Sequence, residues 1–455
     1  MGCKGQGVFA GKRVLVAGMA RSGVAAAALL SGIGAKVTIY DQKGEEELAE
    51  ALKPLEKLPI EKALGREPEL LGYDLLVTSP GIPLSAPILK NAAQKGLKVI
   101  GELELASRLC SAPIIAVSGT NGKTTTVTLL GEIFKNAGRL SFVVGNVGLP
   151  FSQEVPKIRP EDIVIAEVSS FQLETVESFH PEISLLLNIT EDHLNRHGTM
   201  EEYIRLKARI FENQSGEDCV ILNLDDRSLR GLAPKARCKV AYFSLEKPVE
   251  YGCFLEEGYV AFAEKGEVKR IVMADEIRLP GRHNLQNALC AAAAAMIAGV
   301  PAPVIRHTLK TFAGVEHRIE IVRTLNGVTY INDSKGTNVD ASIMAVRAMK
   351  AGSVLIAGGY DKHTDFLPFA QEIAKSRIHA AVLIGETRGQ IESALREAGF
   401  LGVHEASGFK EAVLLAGSLA KPGENVLLSP ACASFDMFRD YEERGRVFKE
   451  IVNAL

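Results

Sequence analysis

Short runs of branched apolar residues alternate along the whole chain with longer stretches whose apolar positions recur every three or four residues. Runs of that length, bounded by glycine, proline or charge, predict strands buried on both faces, and the longer stretches predict amphipathic helices. The first third should hold strands at Arg13–Ala17, Lys36–Tyr40, Leu75–Thr78 and Lys98–Ile100. The middle third should hold Ile114–Val117, Ile163–Ala166, Ile183–Asn188 and Val220–Leu222. The last third should hold Val328–Asn332, Val354–Ala357, Ala381–Ile384 and Val426–Leu428. Such alternation implies α/β domains with largely parallel sheets. Breaks at Ser111-Ala112-Pro113 and Phe312-Ala313-Gly314 divide the chain into expected domains 1–111, 112–313 and 314–455.

In open α/β sheets ligands bind beyond the carboxyl ends of the strands, and polar residues collect there in each third. The clearest group is Val117-Ser-Gly-Thr-Asn-Gly-Lys-Thr-Thr125, between a strand and a helix. Glycines turn backbone N–H groups toward an anion, the helix N-terminus adds its dipole, and Lys123 adds a full charge. A hydroxyl at Thr124 or Thr125 suits the Mg²⁺ that accompanies a triphosphate. Val117 stands where the first glycine of the common phosphate-loop spacing would be. Glu167 closes the next strand, the place for an acid associated with that ion, and His193 follows another strand in Thr190-Glu-Asp-His193.

Gly18-Met-Ala-Arg-Ser-Gly23, with Asp41 ending the following strand, resembles a dinucleotide fingerprint in which Ala20 replaces the central glycine. A nucleotide diphosphate held differently, with Asp41 or Lys43 near it, fits better than NAD. Lys207 is the oddest residue, because Met200, Tyr203, Ile204, Ile210 and Phe211 surround it on one face of a helix predicted over Met200–Phe211. A desolvated amine loses proton affinity and, once neutral, can add CO₂ to become an anionic carbamate ligand. A lysine that lays its stem on the core and its charge in water is the alternative.

Composition narrows the classes. With 47% apolar and 24% charged residues the 455-residue chain is an ordinary globular protein, and its net charge of −3 provides no basic excess for nucleic acid or an anionic membrane. Seven scattered cysteines without a C-x-x-C pair give neither a disulfide framework nor a structural zinc site. The N-terminus lacks a signal-peptide core, and the longest apolar run, Leu289–Val300, is too short to span a bilayer. A reducing cytoplasm and a monomer are the expected setting. A dehydrogenase built on the first third and a nucleotide switch built on the phosphate loop each explain only part of the pattern.

Gly119-Thr-Asn-Gly-Lys-Thr124, Thr190-Glu-Asp-His193, Gly281-Arg-His-Asn284 and His317-Arg318 together resemble the Mur ligase family, ATP-dependent amide ligases of peptidoglycan precursor assembly. Ser79-Pro-Gly-Ile82, Val168-Ser-Ser-Phe-Gln-Leu173, Asn332-Asp-Ser-Lys-Gly-Thr-Asn338 and Ser429-Pro-Ala-Cys-Ala-Ser-Phe-Asp436 separate the chain from folylpolyglutamate synthetase and from other muramyl ligases. The resemblance implies a Rossmann-like N-terminal domain, a central P-loop-type ATP-binding domain with a mostly parallel sheet, and a Rossmann-like C-terminal domain. It also implies addition of D-glutamate to UDP-N-acetylmuramoyl-L-alanine through an acyl phosphate.

On that resemblance ATP meets Gly119, Thr120, Asn121, Gly122, Lys123, Thr124, Thr125, Asn284, Asn287, Arg318 and Asp333. Thr124 and Glu167 hold one Mg²⁺; His193 and carbamylated Lys207 hold a second, with Mn²⁺ as a substitute. Lys123, His193 and Lys207 carry the catalysis. The UDP-substrate falls to Ala20, Arg21, Ser22, Asp41, Gln42, Lys43, Ser79, Gly81, Asn146, Ser169 and Gln172. D-glutamate falls to Lys335, Thr337, Lys362, Ser434 and Tyr441. Two departures from the family pattern bear on affinity: Gly336 where alanine is common, and Tyr441 in place of phenylalanine.

Overall fold

The computed structural model describes residues 6–455 apart from Val147, His193, Pro280, Lys362 and His363, and for Gln6, Leu194, Asn195 and Asp340 only the backbone. Two predicted site residues, His193 and Lys362, therefore lie outside the described residues.

Parallel strands covered by helices must be apolar on both sides, and Val14, Leu15, Val16 and Ala17 are each fully buried. They form β1 (Arg13–Ala17), the centre of a wholly parallel sheet with β2 (Lys36–Asp41), β3 (Ile60–Leu64), β4 (Leu75–Thr78) and β5 (Val99–Gly101). The order β3-β2-β1-β4-β5 puts a topological switch between β1 and β4. That switch brings the 18–23 loop beside the 79–82 loop, the usual place for a ligand crevice.

The second sheet has nine strands in the order β14-β13-β12-β11-β10-β9-β6-β8-β7. Its strands are β6 (Ile114–Ser118), β7 (Ser141–Gly145), β8 (Ile163–Glu167), β9 (Ile183–Leu186), β10 (Cys219–Asn223), β11 (Lys239–Ser244), β12 (Gly252–Glu256), β13 (Tyr259–Glu264) and β14 (Glu267–Met273). Pairing is parallel from β7 to β12, and β12–β14 form an antiparallel ribbon. Here β6 lies between β8 and β9, so the phosphate loop issues from a second switch point. The alanine-rich helix Arg282–Ile297 packs on the helix Lys123–Asn136. Ala288 and the run Ala291–Ala295 are fully buried, and side chains that small let the two helices approach closely.

The third sheet has the order β15-β16-β20-β17-β18-β19. It comprises β15 (Glu320–Leu325), β16 (Val328–Asn332), β17 (Ser353–Gly358), β18 (Ile378–Ile384), β19 (Val403–Glu405) and β20 (Asn425–Leu428). All pairs are parallel except β15 with β16.

Residues up to Phe312 make one compact unit and Ala313–Leu455 another. Within the first, a single buried cluster runs from Val14, Val16 and Ile39 through Leu103, Leu105 and Leu109 to Phe151, Val164 and Leu186. No helix among the described residues is long and apolar enough to cross a membrane.

All twelve predicted strands exist, with ends shifted by up to three residues. The strand expected to run to Asn188 stops at Leu186, because Leu187 and Asn188 turn their backbones toward the phosphate loop. The helix expected over Met200–Phe211 is α-helical to Ala208 and tightens to a 3₁₀ turn over Arg209–Phe211.

Candidate active site

The phosphate loop is built as its composition demands. Gly119 has φ 148° and Gly122 φ 86°, and a Cβ on Gly122 would lie 2.3 Å from Asn287 Oδ1. Only glycine allows that close approach. The loop is stapled to the end of β9. Thr120 N donates to Asn188 O at 2.9 Å, Asn121 N to Asn188 Oδ1 at 2.8 Å, and Asn188 Nδ2 to Asn121 O at 3.0 Å. Lys123 Nζ lies over the loop, donating to the carbonyls of Gly119 and Thr120 at 2.8 Å. Asn287 comes to the same loop beside Gly122, and its Nδ2 donates to Asn284 Oδ1 at 3.4 Å. Thr125 is buried beside Thr124 on the first turn of the helix.

Register sets Glu167 next to the loop, since it pairs with Val117 across β8 and β6. Its Oε2 accepts from Thr124 Oγ1 at 2.9 Å and its Oε1 from Asn146 Nδ2 at 2.9 Å. A buried hydroxyl against a buried carboxylate supplies two hard oxygen donors, the chemistry a Mg²⁺ ion requires. Asn146, expected on the UDP-substrate, has its side-chain amide on this carboxylate. Among the described residues no three His, Cys, Asp or Glu side chains form a metal cage. An ion here would have to take further oxygens from a triphosphate or water.

Lys207 resolves its two alternatives toward burial. It is 1% exposed, with Nζ donating to Gly119 O at 2.9 Å and lying 4.7 Å from the Tyr203 ring centre. Burial, then the charge of Lys123, hold its amine well below the ordinary lysine value. A neutral amine is the form that reacts with CO₂, so this site meets the first requirement for a carbamate. Tyr203 Oη lies 3.2 Å from Thr120 Oγ1, and burial pushes its pKa up to about 12, so it remains protonated.

At the first switch point Asp41 is committed to backbone. Its Oδ2 accepts from Met19 N at 2.7 Å and its Oδ1 from Lys43 N at 3.0 Å, which shapes the loop that lacks the central glycine. Buried Ser79 donates to Gly18 O at 2.7 Å. Ala20, Arg21, Gln42, Lys43 and Gly81 are exposed and Ser22 half-buried around this crevice, with Arg21 Nη2 donating to Gly148 O at 2.9 Å. Ser169 caps the short helix Ser170–Leu173, and Gln172 Oε1 accepts from Ser169 N at 2.9 Å.

In the second unit the polar groups converge beyond β16 and β20. Asp333 Oδ2 accepts from Ser429 Oγ at 2.7 Å and Oδ1 from Ile319 N at 3.2 Å. Burial raises its pKa from 3.8 to about 7, against the pull of Arg318 and Arg444. A Cβ on Gly336 would stand 2.6 Å from Asp333 Oδ2, 2.8 Å from Ser342 Oγ and 2.9 Å from Ser429 Oγ. The departure from alanine thus makes room for this hydrogen-bonded group. Lys335 Nζ lies 5.7 Å from the Tyr441 ring centre, so the tyrosine keeps an aromatic face for the cation. Thr337 N donates to Lys335 O at 2.8 Å, and Ser434 is buried past β20.

Asn188, Tyr203, Ser342 and Arg444 were not singled out by sequence. Arg444 is fully buried, donating to Ser334 Oγ at 2.9 Å and Ser334 O at 2.8 Å, and burial lowers its pKa to about 10. A signal was present: Arg444, Phe448 and Val452 form one buried i, i+4, i+8 stripe, the same anomaly that marks Lys207.

Three family descriptions match in succession: the Mur ligase MurD-like N-terminal domain over residues 12–101, the Mur ligase middle domain over 117–295, and the Mur ligase glutamate ligase domain over 317–432. A UDP-N-acetylmuramoylalanine–D-glutamate ligase of Thermoanaerobacter sp. is 47% identical over 449 residues, 98% of this chain and 99% of its own. The protein of that name from Clostridioides difficile is 44% identical over 448 residues, 98% and 99% of the two chains. Among solved structures, UDP-N-acetylmuramate-alanine ligase of Thermotoga maritima shares the fold with a TM-score of 0.60 at 18% identity, covering 97% of this chain and 99% of that one.

Proposed function

The chain belongs to the Mur ligase family, and from that premise we propose that it joins D-glutamate to UDP-N-acetylmuramoyl-L-alanine in the cytoplasm, releasing ADP and phosphate. The observation that carries the reading is the meeting of Lys123, Thr124, Glu167 and Lys207 around one loop at the ends of β6 and β8. The choice of substrates rests on the names of relatives aligned over nearly the whole chain.

A carboxylate is a poor acyl donor because its leaving group would be oxide. Transfer of the terminal phosphoryl group of ATP to that carboxylate gives an acyl phosphate; the D-glutamate amine then adds to the acyl carbon, and phosphate departs. Lys123 neutralises the oxygens that gain charge during the transfer, while loop N–H groups fix the phosphates. Thr124 with Glu167, and His193 with a Lys207 carbamate, would hold Mg²⁺, which when bound would supply further charge neutralisation; Mn²⁺ has the same oxygen preference.

The 1–111 domain, through Ser79, Gly81, Asp41 and the 20–22 loop, receives the UDP-substrate. The 112–313 domain binds ATP, with Asn284 and Asn287 as nucleotide contacts; Arg318 and Asp333, at the start of the 314–455 domain, are that domain's proposed nucleotide contacts. The 314–455 domain, through Lys335, Thr337, Lys362, Ser434 and Tyr441, receives D-glutamate. The test is phosphate release with ATP, UDP-N-acetylmuramoyl-L-alanine and D-glutamate together, against mixtures lacking one of them, alongside L-glutamate, meso-diaminopimelate and L-lysine. Release that requires both the acceptor and D-glutamate supports the proposal. Release with another amino acid alone refutes the specificity, and release independent of acceptor refutes the ligase reading.

A further inference from the structure

The 79–82 loop has an anchor that none of the foregoing assigns. Arg196, on the short helix Leu194–His197 beyond β9, donates from Nη1 to Pro80 O at 3.2 Å and from Nη2 to Ile82 O at 3.4 Å. Its own direction is fixed twice over. Glu174 accepts from Nε at 3.0 Å and from Nη2 at 2.6 Å, and the guanidinium carbon stands 4.1 Å from the Phe171 ring centre. The two charged side chains are only 17% and 8% exposed. A planar fork that is paired bidentately and stacked on a ring is pre-oriented, and lysine cannot reproduce it.

The next residue carries the linkage onward. His197 Nε2 lies 3.0 Å from Ser170 Oγ, and its ring is flanked by Phe171 at 5.4 Å and Tyr203 at 5.3 Å between centroids. Tyr203 in turn reaches Thr120 of the phosphate loop at 3.2 Å. The loop after β4 and the loop after β6 are therefore joined through one unbroken set of contacts within the first unit. Ser79 is held by Gly18, but Pro80 and Ile82 present bare carbonyls that Arg196 collects.

We propose that Arg196, held by Glu174 and Phe171, is a positioning residue for the acceptor: it fixes the 79–82 loop in register with the phosphate loop. This rests on the acceptor reading of that loop. Its test compares the parent with Arg196→Met, Arg196→Lys and the double variant Glu174→Gln/Arg196→Met, measuring KM for UDP-N-acetylmuramoyl-L-alanine, KM for ATP and the thermal midpoint. Losing two charge-assisted bonds to the loop should raise the acceptor KM about tenfold and leave the ATP KM within about twofold.

Arg196→Lys should fall between parent and Met. The double variant removes the unpaired carboxylate, so it should regain thermal midpoint yet keep the raised acceptor KM. An unchanged acceptor KM in the folded variants, or equal rises for acceptor and ATP, overturns the inference. A parent that forms no product from the acceptor and D-glutamate overturns the reading beneath it instead, whatever the variants do.

Discussion

Asp333→Asn should abolish a pH dependence built into the second unit. The native carboxyl titrates near 7 and an ordinary one at 3.8, burial being the main cause. Between those values the native chain holds a proton that the unfolded chain has released, so stability declines as pH rises across the window. At 1.36 kcal/mol per unit the full decline is about 4 kcal/mol, of which roughly half falls between pH 5 and 7. Above about pH 8 both states are ionised and the contribution levels off. Asparagine does not titrate there, although its carbonyl still accepts one of the two bonds now made by Ser429 Oγ and Ile319 N.

Amide hydrogen exchange of β16 in the full-length protein reads this out. The ratio of protection between parent and variant cancels the intrinsic pH dependence of exchange. That ratio should shift toward the variant by about one decade per pH unit from 5 to 7. A constant ratio, or one moving toward the parent, would mean that Asp333 is already charged and that Arg318 and Arg444 outweigh its burial.

Gly336→Ala pushes a methyl group onto Asp333, Ser342 and Ser429, and should cost about 1–3 kcal/mol in thermal or denaturant unfolding; an unchanged transition would show that the group yields freely. Lys123→Met should lower turnover at least about a hundredfold by removing a charge aimed at the transferring phosphoryl group, and near-parental phosphate release would detach the loop from catalysis. Glu104→Gln addresses stability away from the site. That buried carboxylate accepts from the backbone N of Glu177, Ser178 and Phe179, from Ser178 Oγ and from Arg108. Burial opposes ionisation, but the combined bonds hold its pKa below 4.5. The variant should lose about 2–3 kcal/mol at neutral pH, and the difference should shrink as the pH falls through the native pKa; equal melts at pH 7 contradict this.

Strands buried on both faces were the legible part of the fold. Arg13–Ala17, Leu75–Thr78 and Val328–Asn332 begin and end where their apolar runs do. Strands hidden from sequence are those with little to bury: Ile60–Leu64 buries only Ala63, and in Glu267–Met273 only Ile271 and Val272 are covered. Lys239–Ser244, Gly252–Glu256 and Tyr259–Glu264 were missed for a different reason: each buries several residues, but charged ends and intervening glycines break up their apolar runs. At the site, glycine spacing and a strand-end carboxylate drew attention to Thr124 and Glu167, whose side chains the fold brings together. Sequence could not show that Asn146 would turn to Glu167, because that contact depends on β7 and β8 lying side by side. Arg444 was legible only through its i+4 and i+8 partners Phe448 and Val452, because Glu442 and Glu443 before it read as part of an exposed charge run.

The oily seam shared by the first two sheets has a practical corollary for anyone trimming this protein. Leu103, Leu105 and Leu109 sit in one dry cluster with Phe151, Val164 and Phe179. A fragment cut near residue 111 would carry those leucines into water as a contiguous sticky patch, prone to self-association. Ligand screening against the crevice between the 18–23 and 79–82 loops is better done on a piece extending to Phe312, where that face keeps its natural lining.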